Sequence, residues 1–84
     1  MLVLCDFTRL DTPEAVYDYL QEELSLPDYF GRNLDALHDC LTEIGVPTRL
    51  ILTGTKTPLA RRFLPVFRGA AKANRNLSLE LHRE

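Results

Sequence analysis

Asp35, His38, Asp39 and Thr42 are the side chains in this chain most able to do chemistry together. They fall at i, i+3, i+4 and i+7, a spacing that stacks them on one face of an α-helix. Two carboxylates and an imidazole suggest three chemistries. The first is a nucleophile served by a base, with Cys40 and His38 as the pair; two residues on a helix are about 200° apart, so they point to opposite faces and no dyad forms. The second is a metal site built from Asp35, His38 and Asp39. Such a site also needs a further strong ligand and outer partners that orient it, and the sequence offers neither, so no metal and no cofactor is expected. The third is an acidic surface. Asp35 and Asp39 stand one turn apart, and like charges at that spacing cost a few tenths of a kcal/mol. In the first turn, Asp35 is favoured by the helix dipole, but Asp39 is too far along to gain from it. The stripe is therefore either a solvated face or a surface for something cationic.

The elements around the stripe have clear signals. Pro27 stops a preceding helix. Gly31 is expected to take the sharp turn, since it tolerates positive φ, and Asn33 is a good N-cap for a helix starting at Leu34. Leu34, Leu37, Leu41 and Ile44, with Cys40 beside them, form the opposite, apolar face. Tyr29, Phe30 and Arg32 stand in the loop before it. Upstream, the apolar run Leu2 to Phe7 reads as a fully buried strand. Thr12-Pro13-Glu14 then starts a helix whose inner face is Val16, Tyr19, Leu20 and Leu24. Downstream, Gly45-Val46-Pro47 ends the acidic helix, and Leu50-Ile51-Leu52 reads as a central strand. A helix begins at Thr57-Pro58 and keeps its spacing to about Ala73, and Pro65 within it predicts a kink or two short helices. Leu77, Leu79 and Leu81 alternate with polar residues as an edge strand does. Strands joined by helical crossovers predict an α/β fold with parallel strands, in one domain over residues 1–84.

The composition is that of a globular domain, with 45% hydrophobic and 26% charged residues. No apolar run approaches the ~20 residues that span a bilayer, and MLVLCDF lacks the basic start of a signal peptide. A cytoplasmic protein is expected, with no membrane partner and with Cys5 and Cys40 as buried, reduced thiols. Net charge is −2, unevenly spread. Residues 1–47 hold ten acids and two bases, a balance of −8; residues 48–84 hold two acids and eight bases, a balance of +6. Such a split reserves a face for electrostatic work.

The string LPDYFGRNLDAL followed by DCLT, within residues 26–44, resembles the recognition segment of the barstar family of intracellular ribonuclease inhibitors. VFR-x-x-x-K-A at residues 66–73 adds a weaker match. The resemblance implies a barstar-like fold, with a three-stranded parallel sheet in order 1-2-3 and helices packed on it. It also implies a role: the acidic helix and its loop plug the basic active site of a ribonuclease in a 1:1 complex, carboxylates taking the places of RNA phosphates. Carried over by position, Asp39 is the central carboxylate and Asp35 the second. Tyr29 stacks on the partner, Gly31, Asn33 and Leu34 make close contacts, His38 lies on the same face, and Thr42 flanks it.

Departures from the family pattern point away from barnase itself and toward another basic ribonuclease or nuclease-type toxin. His38 stands where the defining inhibitor has a large aromatic, and Arg32 where it has an acid. Gly69, between Arg68 and Lys72, replaces a carboxylate of the last helix. The chain also looks shortened after the second strand, with residues 55–64 as the remnant of an extra short helix. Two other readings stay open. The basic half, with Arg61, Arg62, Arg68, Lys72 and Arg75, could bind nucleic acid, although no recognised motif is present and the acidic stripe would repel phosphate. The chain could also be a barstar-like binding module that inhibits no nuclease. An enzyme is not expected, because no nucleophile and base converge.

Overall fold

The computed structural model describes residues 1–27 and 30–82. The chain runs β1 (Leu2–Asp6), α1 (Pro13–Glu23), α2 (Leu34–Thr42), β2 (Thr48–Thr53), α3 (Pro58–Ala73) and β3 (Leu77–Leu81). The strands are all parallel, in order β1-β2-β3, with Val3 opposite Leu50 and Leu50 opposite Leu79. This is the barstar-like α/β arrangement expected from the sequence.

Local chemistry sets the helix starts. Thr12 and Thr57 each accept a backbone N–H three residues on, from Ala15 and Ala60 at 3.1 Å, and each is followed by a proline whose missing N–H costs nothing there. Gly54 turns the chain out of β2 at φ +65°. A Cβ there would lie 2.7 Å from Thr8 Cγ2 and 2.9 Å from the Thr8 nitrogen, so the position has no room for a side chain.

The core lies between one face of the sheet and the three helices. Val3, Cys5, Phe7, Leu50 and Leu52 meet Val16, Leu20, Leu37, Leu41, Phe63 and Phe67, all essentially inaccessible. An aromatic cluster joins the elements, with ring centroids 5.9 Å apart for Phe7–Phe63 and 5.5 Å for Tyr17–Phe63.

Four expectations need correction. Leu2 and Leu4 are 63% and 51% exposed, so β1 is not fully buried: every helix packs on the face of Val3 and Cys5, and the other face is open. On α1, Tyr17 rather than Tyr19 enters the core. Tyr19 is half-buried and donates its hydroxyl to the Leu4 carbonyl at the free edge of β1. Pro65 does not divide α3, which runs unbroken for 16 residues. Phe63 and Phe67 anchor it on both sides of the proline, while Pro65 and Arg61 face solvent, where water can serve the Arg61 carbonyl that loses its donor. Residues 58–64 are therefore the first half of α3 and not a separate remnant.

Candidate functional site

Helix α2 is built to hold its acidic stripe outward. Leu37 and Leu41 are wholly buried, and that anchors the opposite face. Asn33 caps the start: its Oδ1 accepts the Ala36 N–H at 2.8 Å, and its Nδ2 donates to the Gly31 carbonyl at 3.2 Å. Gly31 lies close under this cap, since a Cβ there would meet Asn33 Nδ2 at 3.2 Å and Ala36 Cβ at 3.4 Å. Phe30, 5% exposed, pins the incoming loop by packing edge-on against Tyr17 at 5.8 Å.

The left-handed turn expected at Gly31 falls on Arg32, with φ +53°. A non-glycine residue pays a steric cost for this conformation. Arg32 offsets it by reaching α1, with an ion pair to Asp18 at 2.5 Å and a donated bond to Gln21 Oε1 at 3.2 Å. Its charge is thus tied down beside the site rather than presented to a partner.

The far end of α2 is held by a residue from beyond α3 that sequence analysis did not single out. Asn74, 7% exposed, follows α3. Its Nδ2 donates to the carbonyls of Leu41 and Ile44, both at 2.9 Å, while its Oδ1 accepts the Asn76 N–H at 2.9 Å. The last carbonyls of a helix lack partners within it, and here another helix's cap supplies them. The sequence signal was an asparagine directly after a helix, which normally reads as local capping; the reach across 33 residues is not visible in one dimension.

The stripe itself is laid out as the spacing predicts. Asp35 and Asp39 are exposed, and His38 and Thr42 are half-buried. The Asp39 side chain is 80% accessible, and His38 Nδ1 lies 3.9 Å from its Oδ1. Among the described residues, no Lys or Arg is within ion-pairing distance of Asp35 or Asp39. The Thr42 hydroxyl donates to the Asp39 carbonyl at 2.8 Å, closing the helix on itself. Leu34 and Asp35 border a groove with Pro13 and Arg62. His38 packs on α3 at Gly69, where a Cβ would come within 3.5 Å of its Nε2. Tyr29 lies outside the described residues. The structure thus brings Gly31, Asn33, Leu34, Asp35, His38, Asp39 and Thr42 into one surface formed by α2 and the loop before it.

The thiols differ. Cys5 is fully buried, and burial, followed by the nearby Asp6 charge, pushes its pKa up to about 12. Cys40 is only half-buried, not the core residue expected; it borders a crevice with Leu24, Leu26 and Pro27. Burial first, then the charges of Glu43 and Asp39, raise its pKa too. Both thiols are free, and neither is activated. Among the described residues, no three His, Cys, Asp or Glu side chains are grouped to hold a metal ion, and no helix is long and apolar enough to cross a membrane.

Comparison with known proteins agrees with this geometry. Residues 1–82 match the family model described as Barstar (barnase inhibitor). A curated protein of Bacillus subtilis (strain 168), titled "Putative ribonuclease inhibitor YrdF", is 43% identical over 51 residues. That match covers 60% of this chain and 56% of the relative, so it spans little more than half of either. With the parallel sheet in order 1-2-3, the capped acidic helix and a family match over almost its whole length, this chain belongs to the barstar family.

Proposed function

We propose that this chain is a protein inhibitor, not an enzyme, and that it occludes the basic active site of a ribonuclease with α2 and the loop before it. One observation carries the reading. Asp35 and Asp39 are held one turn apart on an anchored helix, exposed and without a Lys or Arg partner among the described residues. A ribonuclease site must present cations to phosphate, and carboxylates preorganised at helical spacing can meet the same donors in charge-assisted bonds. Asp39 takes the centre and Asp35 the second place. Gly31, Asn33, Leu34, His38 and Thr42 form the surround, with Tyr29 stacking from the loop. The chain acts as one domain, one copy per enzyme, in the cytoplasm, where it protects the cell from a basic ribonuclease or nuclease-type toxin other than barnase.

The test is Asp39→Ala. Changes at such exposed sites usually stay within about 0.5 kcal/mol of neutral, and removing the Asp39–Asp35 repulsion returns a few tenths. The melting temperature should therefore hold or rise slightly. Inhibition of ribonuclease activity should weaken by at least two orders of magnitude, mainly through faster dissociation. A variant that melts many degrees lower yet inhibits as well as wild type would overturn the reading. Binding to RNA that depends on Arg61, Arg62 and Arg68 and ignores Asp39 would favour the nucleic-acid alternative.

A further inference from the structure

Beside the acidic stripe runs an equally uncompensated basic one. Arg68 and Lys72 are exposed on α3, one turn apart, and neither joins an ion pair among the described residues. The two stripes belong to helices that pack together, with His38 of α2 seated on Gly69 of α3. Gly69 stands between the two cations in sequence and has no side chain to separate them from α2. Opposite charges on neighbouring helices could have neutralised one another, yet no α2 acid pairs with an α3 base among the described residues.

Size makes this arrangement consequential. A stable interface takes about 800 Å² from each partner, a patch roughly 28 Å on a side. The exposed length of nine-residue α2 is only about 13 Å, and the molecule's extents are 30 × 23 × 19 Å. The loop before α2 adds to this surface, but His38, within the stripe, is itself seated on Gly69, so a partner that covers the stripe over a standard area also reaches α3 around Gly69. Like charges set against each other across an interface are strongly unfavourable. A uniformly basic partner face would satisfy α2 and be repelled by Arg68 and Lys72.

We propose, resting on the inhibitor reading, that the partner's binding face is bipolar: a cationic cleft that receives Asp35 and Asp39, bordered by carboxylates that meet Arg68 and Lys72. Arg68 and Lys72 then act as specificity determinants, selecting among ribonucleases by the charge beside the cleft. They admit enzymes with an acidic rim and reject enzymes whose basic surface continues outward.

The experiment uses the full chain carrying Arg68→Glu and Lys72→Glu together. Both positions are exposed, and glutamate is a good helix former; Arg68→Gln with Lys72→Gln serves as a second variant if the reversal disturbs folding. The probes are a panel of purified basic ribonucleases, barnase included, with inhibition constants measured at 50 and 300 mM salt. For any enzyme that wild type inhibits through Asp39, the reversal should weaken inhibition at least tenfold at low salt. Screening should shrink the loss at high salt, and slower association should account for most of it. Enzymes that wild type does not inhibit, because their basic surface continues past the cleft, should instead be inhibited by the reversed chain. The proposal fails if the reversal leaves unchanged, or tightens, inhibition of an enzyme that still depends on Asp39, and in that case the inhibitor reading survives. It also fails if the two cations govern only retention on RNA. The panel includes enzymes with carboxylates bordering the cleft, and a wild-type chain that inhibits none of these removes both readings at once.

Discussion

Replacing Asn74 by alanine tests whether the acidic helix is held by the cap of its neighbour α3. The change removes three side-chain bonds: two donated to the Leu41 and Ile44 carbonyls and one accepted from Asn76, each 2.9 Å. Such bonds contribute about 0.5–1.5 kcal/mol apiece, and more where a buried group is left unpaired. Some compensation exists, because Asn76 Nδ2 also donates to the Ile44 carbonyl at 3.2 Å and the Ile44 N–H reaches the Leu41 carbonyl at 3.4 Å. A loss of about 2–3 kcal/mol is therefore expected. For a domain of this size each kcal/mol shifts the melting temperature by about 4–8 °C, so the midpoint should fall by roughly 10–20 °C. Thermal unfolding followed by circular dichroism measures this. Hydrogen exchange should locate the weakening in the last turn of α2, with Asp39 still able to inhibit once the protein is folded. Asn74→Asp is the sharper control, because it keeps the acceptor for Asn76 but turns an oxygen toward two carbonyls. If Asn74→Asp were as stable as wild type, or Asn74→Ala melted within about 3 °C of it, the cross-helix cap would not be what secures α2.

Two further outcomes follow from the geometry. Arg32→Ala and Asp18→Ala should weaken ribonuclease inhibition by similar factors, with the double variant little worse than either, because both break one tether. The coupling should be about 0.2–1 kcal/mol, as for exposed pairs. Binding kinetics on the four proteins measures it, and additive losses would show that Arg32 contacts the partner directly. Stability should also fall as pH rises from about 9 toward 12. The folded Cys5 thiol holds its proton to about 12 against an ordinary value of 9.0, so its contribution is intact below 9 and is lost as pH climbs through that window. Burial raises Tyr17 and Tyr19 in the same direction. Three pK units correspond to about 4 kcal/mol for the thiol at most. Urea titrations at stepped pH should show the decline, shallower in Cys5→Ala; a flat profile to pH 11.5 would refute it.

Much of the molecule was readable in one dimension because its signals are local. The caps at Thr12, Asn33 and Thr57 depend on a side-chain oxygen and an N–H three residues on. The shared face of Asp35, His38, Asp39 and Thr42 depends only on helical period, as does the burial of Leu37 and Leu41, whereas the seating of His38 on Gly69 comes from the packing of α3. Alternation at Leu77, Leu79 and Leu81 placed the edge strand, and the succession of strands and crossover helices made the sheet parallel, while its order 1-2-3 followed from the resemblance to the barstar family. Other features depended on what lies across the fold. Whether Leu2 and Leu4 are covered is decided by which face the helices take, and a continuous apolar run does not encode that choice. Pro65 is tolerated because its side of α3 meets water while Phe63 and Phe67 hold the core. The left-handed residue is Arg32 and not Gly31, since Asp18 and Gln21 on α1 offset a strain that glycine would have avoided. Asn74 caps a helix that ended more than thirty residues earlier. The acidic and basic halves, unequal already in the sequence, end on adjacent helices without neutralising each other among the described residues, because an ion pair needs a few ångströms of proximity and packing at His38 and Gly69 sets where each charge can reach.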